Sequence, residues 1–313
     1  MSEKTYGGVI VPLVTPFSND GRIDKVSLSK IVQYVVKNNC DPFVLGTTGE
    51  SASIDSADFI TVAETMVDAA AENSKTYAGI SSNNWKTSIK LARQYKDIGV
   101  DAVVAHPPYY YPITVEKILR YYQDLAEASP LPLFIYNIPA TTHLSIPLEV
   151  VDQLSHHPNI VGIKDSERDL ERLKKSLEMW SARTDFSHLL GWGAELCNAL
   201  LMGSDGIVPS TGNITPHLYN MMYTQVRTGN KEQAIKLHTL TDRFSQIYQK
   251  GRLLSDSLTA LKVMLNELGL CGRSVLAPFQ QLDDQQADII IKEMRNLIKE
   301  VENEAFGAEI KWT

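Results

Sequence analysis

Cysteine is scarce: Cys40, Cys197 and Cys271 are the three thiols in 313 residues, widely spaced and odd in number. That excludes a disulfide framework and fits reduced packing residues of a cytoplasmic protein. Positive charge is scarce as well. Against 37 Asp and Glu stand 30 Lys and Arg, for a formal net charge of −7 and a pI near 5.5. Such a balance argues against nucleic acid or an anionic membrane surface as partner. No apolar run approaches the ~20 residues that span a bilayer. The stretch Val9–Val14 is interrupted by Pro12 and lacks the basic and cleavage regions of a signal peptide. Of the histidines, His106, His143, His188 and His217 show no ligand spacing such as H-E-x-x-H, and His156-His157 reads as solvated, so no metal is expected. A glycine-rich phosphate turn is missing after the first strand, where the chain has Thr15-Pro16-Phe17. This disfavours a doubly wound open sheet.

What the chain does contain is ordinary globular composition, 43% hydrophobic and 21% charged, and a regular alternation of strand and helix. Strands are predicted at 8–14, 42–45, 76–80, 101–105, 133–136, 160–163, 187–190 and 206–208. Helices are predicted at 23–38, 55–71, 86–98, 114–128, 147–154, 170–181 and 195–202, with Asp24 or Ser27 as the first cap. Eight such units within about 215 residues are the count and length of a (β/α)8 TIM barrel. From Pro216 onward the pattern is helical, through 231–250, 255–268 and 283–304. The expected organisation is a barrel over 1–215 and a C-terminal helical extension over 216–313, packed on it as one structural unit.

In a barrel of this kind the active face is formed by the C-terminal strand ends. Those ends carry Thr47-Thr48, Tyr109-Tyr110-Tyr111, Tyr136-Asn137, Lys164-Asp165-Ser166, Gly191 and Ser210-Thr211. The set has one amine, several phenols and many hydroxyls, with no carboxylate dyad. Lys164 closes the apolar run Ile160–Ile163. A lysine in such a place either snorkels, pairs with Asp165, or is desolvated into a nucleophilic amine. Tyr136 ends the preceding strand, where it can serve as proton donor and acceptor. Gly46-Thr47-Thr48-Gly49-Glu50 is either a plain strand-to-helix turn or a carboxylate cradle of hydroxyls and N–H groups at a helix N-terminus.

These pieces resemble the pyruvate-dependent class I aldolase family, which includes dihydrodipicolinate synthase, N-acetylneuraminate lyase and 2-keto-3-deoxy sugar-acid aldolases. The resemblance spans roughly residues 5–300. It rests on Gly46–Glu50, Pro108-Tyr109-Tyr110, Tyr136-Asn137-Ile138-Pro139, Gly162-Ile163-Lys164-Asp165 and Gly203-Ser204-Asp205-Gly206. It implies that Lys164 forms a Schiff base with pyruvate, so that no other cofactor is needed, and that Tyr136 shuttles protons. It further implies that Thr47 links Tyr136 to Tyr110, the latter supplied by a neighbouring subunit of a homodimer or homotetramer. Thr48 and nearby amides would hold the pyruvate carboxylate, and the Val208 backbone would lie against the lysine. Ser166, Gly191, Ser210 and Thr211 are candidate substrate contacts.

Departures from the family pattern narrow the substrate. The synthase branch carries an arginine where this chain has Thr141, between Ala140 and Thr142. The sialic acid lyase branch carries Asp and Glu where this chain has Gly193 and Ala194, after Trp192. The expected activity is therefore a Schiff-base aldolase or dehydratase acting on a 2-oxo acid such as a 2-keto-3-deoxy sugar acid. The alternatives are dihydrodipicolinate synthase, using another carboxylate anchor, and a non-catalytic barrel with a binding or regulatory role.

Overall fold

A computed structural model of the chain describes residues 4–70 and 74–302. Its strands are β1 (Gly8–Pro12), β2 (Asp41–Val44), β3 (Tyr77–Gly79), β4 (Ala102–Ala105), β5 (Leu133–Asn137), β6 (Ile160–Asp165), β7 (Ser187–Leu190) and β8 (Gly206–Ile207). They close in sequence order into a parallel barrel. The alternating helices are α1 (Lys25–Lys37), α2 (Phe59–Ala70), α3 (Trp85–Ile98), α4 (Val115–Ala128), the single turn α5 (Pro139–Thr142), α6 (Leu148–Leu154), α7 (Leu170–Trp180) and α8 (Leu196–Leu201). Beyond the last strand come α9 (Pro216–Arg227), α10 (Lys231–Gln249), α11 (Leu254–Glu267) and α12 (Asp284–Glu302). The barrel class expected from the strand–helix rhythm is the one observed. Residues 303 and 304 of the last predicted helix lie outside the described residues.

Local chemistry explains where the helices start. Asp24, Asn84, Thr114 and Asp169 each accept a backbone N–H of the following first turn. Caps of this kind contribute about 1 kcal/mol each. The helix predicted from residue 55 begins only at Phe59, because residues 55–58 close as a turn, with the Asp58 N–H on the Asp55 carbonyl and the Ala57 N–H on the Asp55 carboxylate, both at 2.9 Å. Gly99, with φ +98°, stops α3 by taking the left-handed conformation after its last turn.

By contact density the chain groups into two compact units, one of residues 1–10 with 75–209 and one of 11–74 with 210–313. The first holds β3 to β8 and their helices around Val103, Phe134, Ile135, Ile163 and Leu189, all buried. Behind β7, Trp180 packs edge-on against Phe186, ring centroids 5.2 Å apart. The second holds β2, α1, α2 and the four C-terminal helices. Leu28, Ile31, Val32 and Val35 bury one stripe of α1, at the spacing the sequence shows. Phe244, Leu261, Met264, Ile290 and Met294 bury the facing stripes of α10, α11 and α12. Among the described residues no helix is long and apolar enough to cross a membrane.

Candidate active site

Lys164 lies inside β6, one residue deeper than the predicted strand allowed. Tyr136 is its register partner on β5. That pairing depends on an irregularity lower in the same ladder. Leu133 pairs with Ile160 but Phe134 with Gly162, so one extra residue, Val161, is taken up on β6. Without it Tyr136 would face Ile163, and a slip of one residue turns a side chain to the opposite face of a sheet. Gly162 is required at this point. A Cβ there would stand 2.4 Å from the Phe134 ring and 2.5 Å from the Ser187 carbonyl oxygen.

The Lys164 ammonium nitrogen sits 4.0 Å from the Tyr136 ring centroid, and the residues are 5% and 4% exposed. Burial holds the amine's pKa below that of an ordinary lysine, while Tyr136, through charge and a hydrogen bond, offsets part of the shift. The lysine therefore neither snorkels to solvent nor pairs with its neighbour. The Asp165 carboxylate is taken by Arg172 Nε at 2.7 Å, by Asn137 Nδ2 at 2.9 Å and by the Glu167 N–H at 3.0 Å.

That network was not anticipated. Asn137 also accepts the Ile146 N–H at 3.1 Å, and Glu167 accepts from Asn137 at 2.8 Å and Ser145 at 2.7 Å. Arg172 donates in addition to the Ile146 carbonyl at 2.8 Å. Together these bonds tie the segment 138–146, which includes Thr141, to the ends of β5 and β6. The available signal was the register: Asn137 and Asp165 are themselves partners, one step past Tyr136 and Lys164.

Ser166 and Gly191, both candidate substrate contacts, meet in space. A Cβ on Gly191 would fall 2.2 Å from Ser166 Oγ, and the Gly191 N–H donates to the Asp165 carbonyl at 2.7 Å. Val208 is buried just past β8, its N–H spent on the Leu190 carbonyl at 2.7 Å. His106 stands immediately after β4 and was not among the strand-end residues expected at the site. Of those, Tyr110 is 72% exposed on the single chain, with Asn83 Oδ1 accepting the N–H groups of Tyr109 and Tyr110.

In the other unit, Thr47 and the buried Thr48 follow β2 in a tight turn, Gly49 N–H to Gly46 O at 3.1 Å and Glu50 N–H to Thr47 O at 3.2 Å. One expectation is corrected here. The turn does not open a helix, since only the three-residue 3-10 segment follows it, so no helix N-terminus adds its dipole. What holds the turn is Glu50, which adopts φ +56° and forms a fully buried ion pair with Lys262 of α11 at 2.5 Å. Ser210 is partly buried, and its hydroxyl lies 2.7 Å from the Tyr248 phenol oxygen, which Thr211 also approaches at 2.9 Å. Among the described residues no group of three or more His, Cys, Asp or Glu side chains is placed to hold a metal ion.

With the lysine–tyrosine pair in view, comparison with known proteins is decisive. The model of the dihydrodipicolinate synthetase family matches residues 5–299. The chain belongs to this family. It is similar to 4-hydroxy-tetrahydrodipicolinate synthase of Alkalilimnicola ehrlichii, 32% identical over 93% of this chain and 98% of that one. Among solved structures it resembles dihydrodipicolinate synthase of Bacteroides thetaiotaomicron, with TM-score 0.89, 29% identity and coverage of 94% and 99% of the two chains. It also resembles a prophage protein of the same family from E. coli K12, solved in complex with pyruvate, with TM-score 0.88, 26% identity and coverage of 94% and 99%. The chain is thus a lyase of the class I aldolase family.

Proposed function

We propose that Lys164 condenses with the keto carbon of pyruvate, or of a 2-oxo acid that yields pyruvate, and that the enzyme makes or breaks the bond β to the resulting imine. The observation that carries this is the buried amine beside the Tyr136 phenol. A depressed pKa supplies the free amine that attacks the carbonyl, and loss of water leaves an imine whose protonated form is an electron sink. In cleavage of a 4-hydroxy-2-oxo acid, the Tyr136 oxygen takes the C4 hydroxyl proton while its own proton passes on along a hydroxyl relay, to be returned when the enamine is protonated. The C3–C4 electron pair then moves into the iminium, an aldehyde leaves and an enamine remains. Protonation of the enamine and hydrolysis return pyruvate and the free lysine. Dehydration uses the same sink, with a C3 proton lost and the C4 hydroxyl leaving as water. Following the family pattern, we assign the pyruvate carboxylate to Thr48 and its neighbouring amides, and a proton relay to Thr47 and a neighbouring copy's Tyr110. The exposure of Tyr110 on the single chain supports a place between copies.

The second half of the substrate has two readings. The names of the relatives support aspartate semialdehyde, and hence dihydrodipicolinate synthesis, more than they support a sugar acid. The specific observation on the other side is Thr141, a neutral residue whose hydroxyl donates to the Ile138 carbonyl at 3.4 Å. The buried guanidinium nearby, Arg172, gives its Nε to Asp165 and its Nη1 to the Ile146 carbonyl, which leaves its Nη2 without a hydrogen-bond partner among the described residues. A neutral hydroxylated aldehyde needs no such cation, which is the case for a 2-keto-3-deoxy sugar acid as the full substrate. Pyruvate with borohydride should add a stable mass to Lys164, and Lys164→Ala should lose both adduct and turnover. Labelling of another lysine, or none, refutes the mechanism. Aspartate semialdehyde tested beside sugar-derived aldehydes decides the partner, since efficient condensation with the former removes the sugar-acid reading.

A further inference from the structure

His106 follows the last residue of β4, and the pyruvate chemistry above does not use it. Ala105 pairs with Ile135 across the β4–β5 ladder, so His106 lies one step further, level with Tyr136. Its ring centroid is 6.4 Å from that of Tyr136, with the planes 52° apart, and 5.7 Å from that of Tyr109. The His106 N–H donates to Ser81 Oγ at 2.9 Å, which fixes the backbone beside the end of β3. The ring Nδ1 lies 2.8 Å from the Pro107 carbonyl oxygen. A carbonyl only accepts, so Nδ1 bears the proton, and in the neutral ring Nε2 keeps its lone pair. Among the described residues nothing donates to Nε2, and the residue is only partly buried, so this nitrogen is available to a ligand. Burial first, and the Lys164 charge after it, hold the imidazole's pKa below its ordinary value and keep it neutral at neutral pH. The titratable groups around it are Lys164 on β6, Tyr136 on β5 and Tyr109 in its own loop.

We infer that Nε2 of His106 accepts a hydrogen bond from a hydroxyl on the aldehyde half of the substrate, which makes His106 a specificity-determining residue for hydroxylated partners. The inference rests on the Schiff-base reading of Lys164 and deepens it. A lone pair attracts O–H, gains nothing from a methylene group and repels a carboxylate. A site with a fixed acceptor therefore discriminates against an analogue that leaves the acceptor unpaired.

The test compares kcat/KM for condensation of pyruvate with glyceraldehyde and with propanal. The wild type should prefer glyceraldehyde. In His106→Phe, which keeps a ring but no acceptor, that preference should fall by about 3- to 10-fold, the range expected for one neutral hydrogen bond. His106→Gln, which restores an acceptor, should hold it to within about twofold on the same basis. An unchanged preference in His106→Phe, in a preparation that still forms the borohydride-trapped Lys164 adduct, overturns the inference. So does a wild type with no preference for glyceraldehyde. Absence of the adduct from the wild type refutes the Schiff-base reading itself, and the inference falls with it.

Discussion

Lys262→Met is expected to be among the most destabilising substitutions outside the lysine–tyrosine pair. Lys262 and Glu50 are both 0% exposed and 2.5 Å apart. The Lys262 ammonium also donates to the Ser274 carbonyl at 2.8 Å and stands 4.2 Å from the Phe17 ring centroid. Burial depresses its pKa and Glu50 opposes the shift. Methionine fills a similar volume but leaves the Glu50 carboxylate, among the described residues, with only the Leu276 N–H, at 3.1 Å. Removing one partner of a buried pair costs about 3–5 kcal/mol, because the other charge is stranded. Glu50→Gln with Lys262→Met strands no charge, so the double variant should recover about 2 kcal/mol or more relative to the sum of the single changes. Denaturant unfolding of the four proteins measures both quantities. If the pyruvate carboxylate binds at Thr48, as proposed, the KM for pyruvate should rise in Lys262→Met, whose partner Glu50 closes that turn, and return toward normal in the double variant. A single-variant loss below about 1 kcal/mol, the range of an exposed pair, refutes the argument.

The pH dependence of trapping follows from the Lys164 shift. Its pKa is lowered, so the reactive free amine accumulates above a midpoint below that of ordinary lysine, and the rate of adduct formation should rise through that lower midpoint. Tyr136 works against the depression, so Tyr136→Phe should move the midpoint further down; an upward move refutes the assignment. Mixing Tyr110→Phe with Lys164→Ala should restore activity after subunit exchange, provided each variant alone is impaired. No recovery under demonstrated exchange places Tyr110 outside the neighbour's site.

The barrel was legible because its strands alternate with helices at a spacing few other folds share, and because the first helix is announced by its capping residue, Asp24. The lysine and tyrosine were legible as polar residues that terminate apolar runs. Other parts of the site were not. The extra residue at Val161 decides which residue faces Tyr136, yet β-branched runs such as Ile160–Ile163 carry no mark of register. The Glu50–Lys262 pair joins residues more than two hundred positions apart, and a lysine in an amphipathic helix reads as an exposed one. A single histidine without metal-ligand spacing carries no mark of its place at a strand end or of the Pro107 carbonyl beside its ring.

Asp165 shows how two adjacent ionisable residues can serve different purposes. Neighbouring positions on a strand point to opposite faces, so Lys164 and Asp165 cannot both face Tyr136. The carboxylate turns instead to Arg172, with side chains 5% and 10% exposed, and the amine is left beside a phenol rather than an anion. A lysine paired with Asp165 would be held protonated and would make a poor nucleophile at neutral pH. Asp165→Asn separates the two arrangements. It strands the Arg172 charge, with Glu167 at 3.4 Å as the remaining anion, and should cost about 3 kcal/mol of stability, the lower end for a broken buried pair. The midpoint for Lys164 trapping should nevertheless move by less than about half a pH unit, because the groups that shift this amine are its own burial and Tyr136. A fall of a full unit or more would mean that Asp165 supports the ammonium after all.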